Sequence, residues 1–356
     1  MDGRDLRLLP KAHLHLHFVG GMRHATLVEW ADDRGVDLPL ALRAGPPPLG
    51  GAQGWGRFQR LYDIARTVVR TESDVARLLR EVAEDDRAAG SGWLEVQVDP
   101  TSYAPLFGGL NPTLEVLLDA ARRAAVATGV GIGVIVAANR TRHPQLASTL
   151  ARLAARYTGA GVVGFGLSND ERAAGAAEFE QAFRVARRAG LKAVPHGGEL
   201  LGPESVEDCV HRLGAHRVGH GVRAVESPAT LALLAERRVA AELCPTSNVA
   251  LGVHPEPAAV PLRALVDAGV PVALGADDPL LFGAGLLEQY ETARRVHGFS
   301  DRELAGLAAA SVEASAAPAD LRRRLLAGID AWLAAPAPAP APGAARLAVR
   351  APAGAS

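Results

Sequence analysis

Eight short apolar runs alternate with longer helix-like segments along most of this chain of 356 residues. The runs are typical of buried β-strands, and they lie at 12–17, 93–99, 130–138, 162–166, 192–196, 216–220, 239–243 and 271–275. Segments between them place apolar residues three and four apart, as amphipathic helices do, at 74–90, 112–128, 175–189, 226–237 and 259–268. Strict alternation of strands and helices predicts a parallel β-sheet covered by helices.

The number of strands favours one type of α/β fold. Eight parallel strands close into a (β/α)8 barrel of about 250 residues. An open, doubly wound sheet is the alternative, and it usually carries a glycine-rich phosphate turn after its first strand. The first strand of this chain ends in histidines instead. We therefore predict a (β/α)8 TIM-type barrel.

Two stretches break the alternating pattern. From Ala334 onward alanine alternates with proline, which supplies no backbone N–H to a helix or a sheet. We therefore predict a single domain over 1–333 and a disordered or semi-extended tail over 334–356. The stretch 45–56 is rich in proline and glycine and predicts a long loop, which is either a lid or binding rim or a surface insertion without a role.

Charge, cysteine content and hydropathy argue against several classes of protein. The 38 Lys and Arg residues balance 39 Asp and Glu residues, so no basic excess indicates nucleic-acid binding. Cys209 and Cys244 cannot build a disulfide framework, and neither belongs to a zinc-binding cysteine motif. The N-terminus lacks the apolar core of a signal peptide, and no apolar run reaches the length of a membrane span. We expect a cytoplasmic protein without nucleic-acid or membrane partners; nothing in the sequence indicates its oligomeric state.

Histidines and aspartates occur where the predicted strands end. His15 and His17 are two residues apart, so on a strand both side chains point to the same face. His196 and His220 end the fifth and sixth strands, and an Asp-Asp pair at 277–278 follows the eighth. The carboxyl ends of barrel strands converge on one mouth, where active sites lie. Three imidazoles and one carboxylate suit zinc, and iron or manganese accept the same ligands.

Taken singly, these motifs also have ordinary structural explanations. The His-x-His pair can be a polar patch on a strand, and the sequence Asp-Asp-Pro can cap the helix that follows it. Only the joint placement of these residues at strand ends indicates a single metal site at the carboxyl-terminal mouth of the barrel.

Five sequence blocks, in order, resemble the adenosine deaminase family of the amidohydrolase superfamily. The blocks are PKAHLHLHFVGG, HGGEL, RVGHG, LCPTSN and LGADDPLLFG, and the resemblance covers about residues 8–333. It implies a (β/α)8 enzyme with one zinc ion that hydrolyses the 6-amino group of a purine. Within the family, the pattern is closest to bacterial 6-aminodeoxyfutalosine deaminases.

The resemblance also implies roles for individual residues. The zinc ligands would be His15, His17, His196 and Asp277, and His17 would also border the substrate. Glu199 matches the acid that protonates purine N1, and His220 matches the residue that orients the attacking water and helps to deprotonate it. Asp278 matches the residue that hydrogen-bonds N7. Asn169 stands where the family often has a glycine whose backbone N–H meets N3, so its side chain would crowd the pocket edge.

These roles agree with the chemistry of aromatic deamination. Attack at C6 needs hydroxide near neutral pH, and zinc lowers the pKa of bound water to about 7. The ring must also gain a proton at N1 to accept electron density. Glu199 can give that proton only if burial or neighbouring carboxylates raise its pKa. As a first-turn helix residue, Glu199 would instead be a purely structural group.

Three positions depart from the family pattern. Val19 stands where the family has an aspartate that binds the ribose 5′-hydroxyl, so a hydroxyl opposite it would lose a hydrogen bond. Met22 and Arg23 follow, and Arg23 could pair with a carboxylate on a 5′ extension. Gln97 replaces a common arginine and Asp99 a serine-like residue, and we assign neither change a consequence.

The sequence therefore supports three hypotheses for function. The first is a zinc-dependent deaminase of a 5′-modified adenine nucleoside, with 6-aminodeoxyfutalosine of menaquinone biosynthesis as the model substrate. The second is a deaminase of adenosine or adenine. The third, from a different class, is a catalytically inactive barrel that serves as a binding protein.

Overall fold

Eight parallel strands form the centre of the computed structural model, which describes residues 3–49 and 54–336. The strands are β1 (Lys11–His17), β2 (Ser91–Val98), β3 (Gly131–Asn139), β4 (Val162–Ser168), β5 (Lys192–Gly197), β6 (Arg217–His220), β7 (Ala240–Leu243) and β8 (Val272–Leu274). Each strand pairs with the next in chain order. All eight predicted strands are confirmed, with ends displaced by one or two residues.

Backbone hydrogen bonds between the first strand and the segment after the last strand join the two edges of the sheet. The N–H of His17 donates to the carbonyl of Asp277 at 2.9 Å, and the N–H of Asp277 donates to the carbonyl of His15 at 3.0 Å. The predicted (β/α)8 barrel is therefore confirmed. The seam brings together three of the residues singled out from the sequence.

Helices surround the barrel or cover its mouth. They are α1 (His24–Arg34), α2 (Leu40–Ala44), α3 (Gly54–Arg66), α4 (Glu72–Ala88), α5 (Ala104–Phe107), α6 (Leu110–Thr128), α7 (Pro144–Arg156), α8 (Glu180–Arg188), α9 (Pro203–His211), α10 (Pro228–Arg237), α11 (Pro245–Ala250), α12 (Leu262–Asp267), α13 (Pro279–Phe282), α14 (Leu286–Arg295), α15 (Asp301–Ala314) and α16 (Ala319–Ala334). Among the described residues, no helix is both long and apolar enough to cross a membrane.

The structure differs from the predictions for the two stretches, 45–56 and 334–356, in which no regular structure was expected. Residues 45–49 are irregular and 50–53 lie outside the described residues, but α3 already begins at Gly54, so the predicted loop over 45–56 is wrong at its end. In the predicted tail, Ala334 is the last residue of α16, and 337–356 lie outside the described residues.

A fully buried charge network fills the barrel interior below the predicted site. Arg217 on β6 pairs with Glu95 on β2 and with Glu242 on β7. A buried charge is tolerated when opposite charges and hydrogen bonds compensate for the lost hydration. Arg217 meets this condition because it also donates to the carbonyl of Ala314 at 3.0 Å.

Candidate active site

The side chains of the predicted metal ligands meet at the carboxyl-terminal mouth of the barrel. His15 and His17 come from β1, His196 comes from β5, and Asp277 follows β8. The Nε2 atom of His17 lies 3.3 Å from Nε2 of His196 and 3.3 Å from Oδ1 of Asp277. The Nε2 atom of His15 lies 3.6 Å from the same Asp277 oxygen.

These spacings fit a single divalent ion. Ligand atoms bound at 2.0–2.2 Å to one tetrahedral or five-coordinate ion lie about 3–3.6 Å apart. In addition, the Nε2 atom of His15 is buried and has no hydrogen-bond partner among the residues that the structure describes. An orphaned buried nitrogen aimed at other metal-ligand atoms is expected where an ion supplies the missing partner. The donor set, three imidazole nitrogens and a carboxylate, is one that zinc binds.

His15 is held in place by a residue that the sequence analysis missed. Its Nδ1 atom lies 2.8 Å from Oε2 of Glu242, whose other oxygen accepts from Arg217. A carboxylate partner on Nδ1 fixes the tautomer that leaves Nε2 free to bind a metal. The signal in the sequence was a single acidic residue, Glu242, inside the apolar run 239–243.

Glu199 lies on the loop after β5, beside the histidine cluster. Its side chain is almost fully buried, and its Oε2 atom lies 3.7 Å from Nε2 of His220. Burial, reinforced by the negative charges of Asp277 and Glu171, raises the pKa of Glu199 well above its ordinary value. The protonated carboxyl group is thus the stable form, as a proton donor requires.

The two neighbouring aspartates differ in protonation. Burial and the adjacent charge of Asp277 raise the pKa of Asp278 well above its usual range. Burial also opposes the ionisation of Asp277, but the adjacent imidazoles of His15 and His17 hold its pKa well below the ordinary value. Asp277 is therefore an anionic ligand candidate, whereas the protonated Asp278 can donate a hydrogen bond. The Oδ1 atom of Asp278 is buried, and none of the described residues is its hydrogen-bond partner.

His220 is kept neutral by its surroundings. Burial, together with the nearby His15 and His17, lowers the pKa of His220 to about 3. Its Nδ1 atom lies 3.4 Å from the side-chain amide of Asn248. A neutral imidazole can accept a proton, which an imidazolium cannot.

Backbone geometry also marks the site. Asn169, His220 and Asp277 have positive φ angles of 75°, 62° and 62°. All three residues line the same cavity. Residues other than glycine adopt this conformation at a cost of roughly 1–3 kcal/mol, and such strain is concentrated at functional sites. The backbone of Gly20 lies so close to Asp278 that a Cβ atom at Gly20 would lie 1.8 Å from Oδ1 of Asp278.

A cavity of about 240 Å³ opens above the histidine cluster. Trp55, Phe58 and Tyr62 of α3 form an aromatic wall, so the segment around 54–56 contributes to the rim of the site. Gln97 is also in the lining, and both polar atoms of its buried amide have no partner in the described part of the chain. Further polar lining residues are Asp63, Arg66, Asp99, Ser102, Asn139, Thr141, Arg142 and Ser168.

The side chain of Asn169 is tied to another residue that lines the cavity. Its side-chain N–H donates to Oε1 of Gln59 at 3.1 Å, and its Oδ1 atom accepts from the N–H of Asp170 at 2.7 Å. These two contacts tie the side chain to α3 and to its own loop. That this side chain crowds the pocket edge for a substrate stays a prediction.

Val19 and Arg23 are not among the residues that line this cavity, and their contact with a substrate stays a prediction. Val19 is fully buried and is not part of the lining. The guanidinium of Arg23 pairs with Asp85 at 2.7 Å and with Glu84 at 3.0 Å, both on α4. Because two carboxylates already neutralise Arg23, it offers no free cation to a substrate carboxylate.

The two cysteines are free and buried, as expected for packed residues. Cys244 lies close enough to His15 and Asp277 to be an alternative ligand. Burial, reinforced by the charge of Asp277, raises the pKa of its thiol well above the ordinary value. A neutral thiol is a poor metal ligand, so the set with His17 and His196 fits a metal better.

Comparison with known proteins places the chain in a family. Residues 10–332 match the family model described as adenosine deaminase, so the chain belongs to the adenosine deaminase family. A Streptomyces virginiae protein, provisionally named an adenosine/adenine deaminase, is 61% identical over 93% of this chain and 98% of its own length. The adenine deaminase of Rhizobium leguminosarum bv. trifolii is 34% identical over 90% of this chain and 98% of its own.

A solved structure shows the same architecture. The crystal structure of adenine deaminase from Arthrobacter aurescens has a TM-score of 0.84 and 27% sequence identity. The similarity covers 92% of this chain and 99% of that protein. This chain is therefore an amidohydrolase-type deaminase of the adenosine/adenine class.

Proposed function

We propose that this protein hydrolyses the exocyclic amine of a 6-aminopurine, with release of ammonia and formation of the 6-oxopurine. One observation carries the proposal: a buried set of three histidines and Asp277 adjoins Glu199, a carboxyl group whose pKa is raised, in a cavity with an aromatic wall. These are the groups that a hydrolytic deamination at an aromatic carbon requires.

His15, His17, His196 and Asp277 would hold one zinc ion. When bound, zinc lowers the pKa of a water molecule enough to supply a nucleophile near neutral pH. The remaining steps fall to side chains of the protein. His220 accepts a proton from the attacking water, because its imidazole is neutral and buried beside the ligands. Glu199 donates its proton to purine N1 as the C6–O bond forms. When the C6–N bond breaks, His220 returns its proton to the departing amine and Glu199 takes the proton of the C6 hydroxyl, so that ammonia leaves and both side chains regain their starting state.

Three further groups would orient the purine. The protonated carboxyl of Asp278, whose Oδ1 has no partner among the described residues, donates a hydrogen bond to N7. The backbone N–H of Asn169, which lines the cavity in a left-handed conformation, would meet N3. The side-chain amide of Gln97, unpaired among the described residues, offers an NH₂ donor group and a carbonyl acceptor to the purine atoms that these contacts leave free.

For the substrate we propose adenine, which the name of the 34% identical relative from Rhizobium leguminosarum bv. trifolii supports. An adenine nucleoside is the second candidate, since the name of the 61% identical relative covers both adenosine and adenine and several lining residues of the cavity are polar. No structural observation supports a 5′-extended nucleoside such as 6-aminodeoxyfutalosine as the substrate. Neither Val19 nor Arg23 lines the cavity, and the compared relatives carry names of adenosine or adenine deaminases.

Ammonia release from a substrate panel tests the proposal. Zinc-loaded protein is assayed with adenine, adenosine, 5′-methylthioadenosine and 6-aminodeoxyfutalosine, and kcat/KM is compared. We expect turnover of adenine above that of the three nucleosides. Preference for a nucleoside would move the substrate assignment to the second candidate or to the 5′-extended one. No ammonia from any of the four would refute the proposal and favour a binding protein.

We further propose that the deaminase is one domain over 1–333 and that the Ala/Pro-rich segment 334–356 takes no part in the chemistry. The described residues of the site all lie between His15 and Asp278. A chain that ends at residue 336 should therefore keep the kcat/KM of the full chain.

A further inference from the structure

Glu171, which follows β4, has an unusual number of hydrogen-bond donors around its carboxylate. The side chain is 1% exposed. Its Oε2 atom accepts from the backbone N–H groups of Glu199 at 3.0 Å, Leu200 at 2.7 Å and Leu201 at 2.9 Å, and its Oε1 atom accepts from the N–H of Gly198 at 2.7 Å and from the hydroxyl of Ser205. Four of these five donors are consecutive backbone amides of the loop that carries Glu199.

Consecutive N–H groups that converge on one point form an anion-binding concavity. In this protein a side chain of the same chain fills it. The carboxylate is acceptor-only and has about four lone-pair sites, which suit several donors at once. A carboxamide at the same position would turn an N–H₂ group towards some of these amides. The arrangement therefore requires the charged carboxylate of Glu171.

The other side of the loop is fixed as well. The backbone N–H of Arg223 donates to the carbonyl of Gly198, and its guanidinium donates to the carbonyl of Leu200, both at 2.9 Å. Gly198 has a φ of 65°, and a Cβ atom there would lie 2.4 Å from Val206. These contacts hold the loop to the β6 side. Glu171 provides the contact to the β4 side.

The β4 side matters because its loop also lines the substrate cavity. Asn169, two residues before Glu171, is a lining residue, and Glu199 lines the same cavity from the loop after β5, the neighbouring strand. The carboxylate of Glu171 thus connects two adjacent loops that both border the cavity. Without this contact, the distance between Asn169 and Glu199 would depend on two independently moving loops.

We propose that Glu171 is a positioning residue, whose carboxylate holds the Glu199 loop against the Asn169 loop so that the acid meets N1 of the bound purine. This inference rests on the proposed deaminase function. The charge of Glu171 has a second consequence, since it contributes to the raised pKa of Glu199. Glu171 does not line the cavity, so it acts through Glu199 and not on the substrate.

The test compares Glu171→Gln with Glu171→Asp and with the control Glu178→Gln. Glu178 also accepts a backbone N–H, that of Gly175 at 3.3 Å, but it is exposed and outside the site. We expect Glu171→Gln to lower kcat on the preferred substrate of the wild type about 10–100-fold, because a displacement of about 1 Å has effects of this size. KM should change less than about threefold and bound zinc should be unchanged, as neither aromatic wall nor metal ligand is touched. Glu171→Asp should restore part of kcat, and Glu178→Gln should equal the wild type.

Amide hydrogen exchange gives a readout that does not depend on activity. The amides of 198–201 should exchange faster in Glu171→Gln than in the wild type. Unchanged exchange at 198–201 with kcat within threefold of the wild type would overturn the inference, as would equal losses of zinc and kcat. Faster exchange in a protein whose wild type deaminates no purine would instead remove the proposed function, and the catalytic role of Glu171 with it.

A milder variant covers the case in which Glu171→Gln does not fold. Ser205→Ala removes the hydroxyl donor and leaves the four N–H groups in place. We expect a loss of about fivefold in kcat, the size that one hydrogen bond gives, with faster exchange confined to 198–201. A Ser205→Ala protein identical to the wild type in both measurements would contradict the inference.

Discussion

At the residue scale, the chemistry depends on three neighbouring carboxyl groups that are not equally charged. Asp277 is held as an anion by His15 and His17, whereas burial keeps Glu199 and Asp278 protonated. Like charges in one buried site cannot all ionise, so the environment divides the roles of ligand, acid and hydrogen-bond donor.

Replacement of Glu199 tests this assignment of roles to the three carboxyl groups. We expect Glu199→Gln to bind zinc and fold as the wild type does but to lose about 10²–10⁴-fold in kcat, the usual contribution of a general acid. The protonated form is the active one, so the wild-type kcat/KM should fall as the pH rises through the raised pKa of Glu199. The variant should lack this decline. Activity within about threefold of the wild type would remove Glu199 from the mechanism.

At the scale of the elements, the interior of the strands supports the mouth of the barrel. Arg217 on β6 holds Glu242 on β7, and Glu242 holds His15 on β1. Residues on three strands thus determine the orientation of one imidazole. Partners of this kind contribute strongly to metal affinity because they fix the ring and raise the basicity of the ligand.

Loss of this support should appear in metal binding. We expect Glu242→Gln to weaken zinc affinity about 10–100-fold, measured by competition with a chelator, since the charge-assisted partner of His15 is gone. Glu236→Gln, an exposed acid on the neighbouring α10, is the matched control and should bind zinc like the wild type. Equal affinities in all three proteins would show that Glu242 does not support the ligand.

The elements also show which structure the sequence could predict. The strands were predictable because apolar runs and intervening helical periodicity are independent signals that agree. Helix α3 was harder to foresee, since Gly54 and Gly56 lower its propensity at the start. Tertiary packing outweighs this, with Phe58 stacked on Phe282 at 5.3 Å.

The residues of the site likewise include some that the sequence could predict and some that it could not. The four ligand candidates and Glu199 could be singled out because each belongs to a recognisable block at a strand end. Glu171 could not, because nothing local distinguishes it from the adjacent Asp170, and its five donors come from another loop. The ion pairs of Arg23 could not be predicted either, because its carboxylate partners are about 60 residues away in the sequence.

At the scale of the whole molecule, Lys11 links stability to pH. It is fully buried under the barrel, donates to the carbonyls of Leu6 and Ala89, and lies 5.2 Å from the ring of Tyr290. Burial lowers the pKa of Lys11 to about 7, although the charges of Asp86 and Asp5 oppose the shift. Between pH 7 and about 10.4, the unfolded chain therefore holds a proton that the folded chain has lost.

This difference sets the sign of a measurable effect. Folding releases a proton in that window, so the free energy of unfolding increases as the pH rises. For one group the increase is at most about 1.4 kcal/mol per pH unit. We expect the stability of the wild type relative to Lys11→Met to increase from pH 7 to 10 in denaturant titrations. A difference that stays constant over this range would contradict a lowered pKa for Lys11.

The most direct test of the central claim is a titration of metal-depleted protein with zinc while ammonia release from adenine is followed. We expect activity to rise with added zinc and to stop rising at one equivalent per chain, and we expect His17→Ala to show no such rise. Turnover by metal-depleted protein at the rate of the zinc-loaded protein would contradict it, as would full activity in His17→Ala.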